Sequence, residues 1–163
     1  EQEDGKVKKK VLYTDEAKKE FVRHLSLPRS VWKPERAASM RYLSKCDPKN
    51  RLYWLLRASK ECPDRREAWV ELAKYYYERE IWSECFNASI NALNIKEKPL
   101  EYICDEWAWG FAPHDYAAIS AYRLGFYHEA YFHGANAARM AHNDERLRKN
   151  LEFYSERTGR NVT

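Results

Sequence analysis

Along this chain apolar residues recur at intervals of three and four in every segment from Thr14 to Arg157, and Pro or Gly stands at most of the breaks. That periodicity predicts about eight helices and no sheet. Ala17, Phe21, Val22 and Leu25 share one face of a first helix, which Thr14 caps and Pro28 ends. Pro34 suits the first turn of a second helix, PERAASMRYLSK, and Asp47-Pro48 stops it. Asn50 is placed to cap a third, NRLYWLLRASKEC, which Pro63 closes. Residues 1–13 begin EQEDGKVKKK, charged and nearly free of apolar side chains, and are expected to be a disordered linker; 14–31 hold the first helix and its linker.

Residues 66–99, REAWVELAKYYYEREIWSECFNASINALNIKEKP, combine two such helices in one pattern. Trp69, Leu72, Ala73 and Tyr76 fall on the inner face of the first, and Cys85, Ser89 and Ala92 at small positions of the second. Small residues let two antiparallel helices approach closely. The pattern resembles the tetratricopeptide repeat, a helical hairpin of about 34 residues. A hairpin of this kind cannot bury its apolar face alone, so neighbouring copies are expected. Residues 32–65 form a degenerate copy, with Ala38, Ser39, Tyr42, Ala58 and Pro63 on repeat-like positions, and 111–144 form a third. In the third, Gly125 supplies the turn and Ala117, Ala118, Ala121, Ala130, Gly134 and Ala137 a small-residue seam. Residues 144–157 read as a capping helix with Leu147, Leu151 and Tyr154 on one side, and 158–163 as a tail.

The expected fold is therefore all-α: tetratricopeptide-like hairpins in a right-handed superhelical stack over 32–157. Trp69, Leu72, Tyr76, Ala92, Ala118, Ala130 and Ala137 should be buried. Between the second and third copies, 99–110 is an insertion, PLEYICDEWAWG, bounded by a helix-starting Pro99 and a helix-stopping Gly110. Its Tyr102, Ile103, Trp107 and Trp109 either pack on the adjacent hairpins, the favoured reading, or offer an aromatic binding surface.

Composition narrows the function classes. The 163 residues are 44% hydrophobic and 33% charged, which suits a stable globular fold, and five Gly and six Pro are few for an all-β chain. A net charge of +4 is too diffuse for a nucleic-acid partner, and no run of 18 apolar residues or signal peptide points to a membrane. No initiator Met precedes Glu1, from which we expect an excised piece or a processed protein. Cys46, Cys62, Cys85 and Cys104 form no C-x-x-C pair, so reduced thiols and a cytoplasmic location are expected. The sequons at Asn87 and Asn161 would need a secretory route that nothing else supports.

Catalytic motifs are missing from the sequence. It contains no phosphate-cradling Gly-rich loop, H-E-x-x-H helix or G-x-S-x-G elbow, and no residue is assigned to catalysis, a cofactor or a metal. His128 and His133, five apart, fall on different helix faces, and His133 is read as a packed or solvent-edge imidazole. Asp105 and Glu106 beside Trp107 could face a sugar, but acids also solvate any outer helix face, and that reading is favoured. A concave groove lined by the first helix of each hairpin would hold Arg36, Met40, Lys74, Tyr77, Glu78, Asp115, Ile119 and Arg123. Arg36, Lys74 and Arg123 there would attract a carboxylate or acidic segment, with Tyr77 beside them. A groove filled by a neighbouring segment is the equal alternative, and Trp107 with Trp109 the alternative surface.

Three runs carry a further resemblance: CPDRREAW, EWAWG followed by APHD, and NDERLRKNL. Over 32–157 the chain resembles the tetratricopeptide-like C-terminal region of bacterial and phage family 2 glycosyltransferases. That resemblance implies a non-catalytic module beside a nucleotide-sugar domain, with the roles of docking, self-association or acceptor presentation. The family's D-x-D metal motif has no counterpart, since Asp-x-Asp occurs nowhere in the chain. The alternative is a stand-alone adaptor that binds a peptide or acidic segment. Expected partners are thus a protein or peptide, or an adjacent catalytic domain, with a homodimer as a further option; nucleic acid and membrane are not expected.

Overall fold

A computed structural model describes residues 15–159, and the expectations for residues 1–14 and 160–163, including the Thr14 cap and the Asn161 sequon, lie outside them. The fold is all-α: nine α-helices and one 3-10 turn, with no strand among the described residues. The chain divides after Pro63 into two compact units.

In the first unit, α1 (Asp15–Ser26) packs on α2 (Lys33–Cys46), and α2 packs on α3 (Arg51–Glu61). Pro34 stands in the first turn of α2 as expected. Met40, Leu43, Leu55 and Ala58 are wholly buried between α2 and α3, so Met40 serves the core and not a groove. The expected apolar face of α1 is only half-buried, and its Val22 is exposed. Polar ties hold α1 instead: His24 bridges the hydroxyls of Ser30 and Ser39 at 2.9 Å each. Tyr42, expected at a repeat-like position, is 42% exposed and stacks on Phe21 of α1. Asn50 does not cap α3 with its side chain. Its amide donates to Asp47, which also accepts from Trp54 and pairs with Lys18, while 48–50 make the 3-10 turn.

The second unit holds α4 (Arg66–Tyr77), α5 (Trp82–Asn94), α6 (Glu106–Trp109), α7 (Ala112–Arg123), α8 (Tyr127–Met140) and α9 (Glu145–Thr158). Helices α4 and α5 form one hairpin and α7 and α8 another; α5 and α4 both pack on α7, and α9 closes against α8. The two hairpins match position by position. Leu72 and Ala117, Ala73 and Ala118, Cys85 and Ala130, Ser89 and Gly134, and Ala92 and Ala137 stand at one constant interval, and all ten are buried. Their turns close with the same bonds. Ile81 N–H donates to the Tyr76 carbonyl at 3.0 Å, and Phe126 N–H to Ala121 at 2.9 Å. Each such turn puts one residue in the left-handed region: Gly125 at φ 82° and Glu80 at φ 57°. The close approach of α9 depends on Gly134, where a Cβ would meet the Tyr154 ring at 2.5 Å.

Leu72, Ala92, Ala118, Ala130 and Ala137 are buried as expected, but Trp69 and Tyr76 are only half-buried. Trp69 lies against the Val70, Ala92 and Ala108 cluster rather than inside it. The insertion also differs from the helix expected between Pro99 and Gly110, because helix occupies only Glu106–Trp109. Three consecutive side chains of the α4 entry bond the backbone of residues 95–105 instead. Arg66 donates to the Ile95 carbonyl, Arg65 to Ile103, and Glu67 accepts the Asp105 N–H at 3.1 Å. The Ile95 and Ile103 carbonyls and the Asp105 N–H are thereby paired with side chains instead of with one another along a helix. Ala108 and Trp109 then join the core, whereas Tyr102 stays 82% exposed.

Candidate functional site

The predicted groove residues do not all meet. Arg36, in the first unit, is committed internally: its guanidinium pairs with Glu61 at 2.7 Å and donates to the carbonyls of Leu25 and Ser30. In the second unit Lys74 and Tyr77 lie one turn apart near the end of α4, and both are exposed. Tyr77 meets Tyr116 of α7 at 5.4 Å between ring centres and Trp82, the first residue of α5, at 6.1 Å. Arg123, at the end of α7, lies over Trp82 at 5.3 Å. Tyr77 and Arg123 thus meet at Trp82, a residue outside the expected groove, with Lys74 one turn before Tyr77 on α4. Among the described residues neither Lys74 nor Arg123 has an acidic partner.

Tyr116 also lines an open pocket of about 500 Å³, with Trp107, Gly110, Phe111, Ala112, Asp115, Glu106 and Arg146 around it. The two surfaces expected as alternatives, the groove and the tryptophan insertion, are therefore joined through Tyr116. Trp107 faces this pocket and is 39% exposed. Trp109 turns the other way: Arg66 sits 4.2 Å over its ring, and its indole N–H reaches Glu67.

Charge in the pocket is compensated. Asp115, at 8% exposure, receives a bidentate grip from Arg146 at 3.1 and 2.8 Å. Burial raises the Asp115 pKa against the pull of Arg146, while that bond raises the pKa of the guanidinium. Glu106 pairs with Lys98. Burial pushes Tyr116 up to about 12, so its hydroxyl keeps its proton at neutral pH.

A second cluster lies between α7 and α8. His114 and His133 share a hydrogen bond between their Nδ1 atoms at 3.0 Å, with Phe86 and Phe132 ringing His133. Burial, then the neighbouring His133 and the charges of Arg66, Arg139 and Lys96, bring His114 down to about 4. Burial also lowers His133, opposed by Glu129. Both rings are neutral at pH 7, one donating and the other accepting. His133 is thus a packed imidazole, and its partner is His114. Among the described residues no group of three or more His, Cys, Asp or Glu is placed to hold a metal, and no helix is long and apolar enough to cross a membrane. Cys85 is wholly buried, which pushes its thiol up to about 11.

No family model, no curated protein and no solved structure matches this chain.

Proposed function

We propose that this chain is a non-catalytic interaction module built from tetratricopeptide-like hairpins, and that its second unit binds an extended acidic segment of a protein. The observation that carries this reading is the cluster of Tyr77, Trp82 and Arg123 beside Lys74. Arg123 over Trp82 and Lys74 one turn from Tyr77 have no acidic partner among the described residues, and the rings remain accessible. Guanidinium and ammonium groups so placed take carboxylates, and the rings supply apolar contact to the chain between them. The hairpin type is supported by the matched buried positions and matched turns of α4–α5 and α7–α8.

The polypeptide we infer around it is a family 2-type glycosyltransferase, on the strength of the runs CPDRREAW, EWAWG and NDERLRKNL. The acidic segment would then belong to the catalytic domain or to a protein it serves. Coding sequence around this chain that encodes alternating strands and helices with a D-x-D motif supports that parentage; its lack favours the stand-alone adaptor.

Binding is tested by fluorescence anisotropy with a labelled Asp-Glu-Leu-Glu-Asp peptide. The affinity should fall as salt rises, because charges this exposed are screened within about 10 Å at 0.1 M. Lys74→Glu with Arg123→Glu should abolish binding while the melting temperature holds. Unchanged affinity in that double variant refutes the reading.

A further inference from the structure

The pocket beside Tyr116 has a different character from the cationic cluster it adjoins. Trp107, Phe111 and Tyr116 wall it, and Gly110 leaves its rim open. Its two acids are already neutralised, Asp115 by Arg146 and Glu106 by Lys98. A volume of about 500 Å³ is within the usual range for a ligand site, roughly 300–1,000 Å³. Tyr116 of the pocket wall meets Tyr77, whose ring in turn meets Trp82 beneath Arg123.

We propose that this pocket anchors one large apolar side chain of the acidic segment, Leu or Phe, while Lys74 and Arg123 take the carboxylates flanking it. The inference rests on the peptide-binding reading above and adds the identity of the anchor. Its reasons are chemical. The one cation lining this aromatic-walled cavity, Arg146, already grips Asp115, so an entering carboxylate competes for it and loses its hydration. An apolar side chain gains there by leaving water. The cations outside the pocket fix where the acidic neighbours lie. A neutral sugar is the less suited occupant, since the main polar groups here, Asp115 and Arg146, already satisfy one another.

Three labelled peptides decide it: Asp-Glu-Xaa-Glu-Asp with Xaa as Ala, Leu or Phe, titrated against the whole chain. Leu and Phe should bind at least tenfold more tightly than Ala. At Gly110, which lines the pocket, a Cβ meets only ordinary contacts of 3.7 Å and the backbone φ is negative, so Gly110→Leu adds bulk to the lining. That variant should reduce the tenfold preference to threefold or less. Trp107→Ala, at a residue 39% exposed, should also weaken the preference and stands in if Gly110→Leu misfolds. Equal binding of all three peptides, still abolished by Lys74→Glu with Arg123→Glu, overturns the anchor and leaves the acidic-segment reading intact. A preference that survives both pocket variants also overturns the anchor. No binding by any peptide, or tighter binding of a neutral oligosaccharide such as maltotriose, overturns both.

Discussion

Glu67 accepts the indole N–H of Trp109 at 3.3 Å across 42 positions of sequence, and the same carboxylate oxygen accepts the Asp105 N–H. The side chain belongs to the first turn of α4 and is 3% exposed. With Arg65 on Ile103 and Arg66 on Ile95, it turns the insertion from a separate helix into a strap across the α4 entry. Glu67→Ala leaves two partly buried donors without this acceptor, at up to about 1–3 kcal/mol each. Thermal melting should drop by several degrees, and limited proteolysis should open the 96–105 segment first. A variant with parental melting and an uncut strap would show that the bonds do not hold the insertion.

Gly134→Ala tests the contact between α8 and α9. Its Cβ would lie 2.5 Å from the ring of Tyr154, a side chain buried among Ala118, Ala121 and Ala130. Overpacking of this kind destabilises by roughly 1–3 kcal/mol. Urea unfolding should show the loss, and adding Tyr154→Leu should recover part of it through coupling of the two sites. Additive losses in the double variant would contradict the geometry.

Much of this architecture was legible before any coordinates. Helix existence followed from periodicity, and the small seam from Ala118, Ala130, Gly134 and Ala137. What escaped was set by side chains reaching far along the chain. Nothing local in REAW says that Arg66 will bond the Ile95 carbonyl, so the insertion reads as a helix between its Pro and Gly. Arg36 looked like a groove cation because position alone cannot reveal Glu61 waiting across the first unit. Trp82 was overlooked because it opens the second helix of its hairpin, whereas the groove was assigned to first helices. The signal available was Arg123 placed at the matching helix end.

Glu80 and Gly125 occupy equivalent turns, yet only one is a glycine. A non-glycine in the left-handed region costs about 1–2 kcal/mol, and glycine returns part of that gain as extra freedom in the unfolded chain. Glu80→Gly should therefore stabilise by about 0.5–1 kcal/mol, whereas Gly125→Ala should destabilise by a similar or larger amount. The same denaturation experiment reads both. A Glu80→Gly that destabilises, or a Gly125→Ala that does not, would mean that the two turns differ.

The neutral pair of His114 and His133 predicts a pH dependence. Folding holds His114 near 4, below its ordinary value of 6.5, and lowers His133 as well. The unfolded chain thus binds more protons between these values, so stability is complete above pH 6.5 and is lost as pH falls towards 4. Each proton contributes a slope of about 1.4 kcal/mol per pH unit. Glu129 lessens the effect at His133, while Arg66, Arg139 and Lys96 strengthen it at His114. Stability from urea titrations between pH 7 and 4.5 should fall more steeply in the parent than in His114→Gln. Parallel curves would remove the pair from the account.

Six tryptophans give six indole N–H resonances, and their positions make the central claim directly measurable. Titrating Asp-Glu-Leu-Glu-Asp into the ¹⁵N-labelled chain should shift the Trp82 resonance most and Trp107 next. Trp32 and Trp54, in the first unit, should stay in place. Shifts confined to Trp32 and Trp54, or no shift in any of the six at saturating peptide, would contradict a docking surface on Lys74, Tyr77, Trp82 and Arg123.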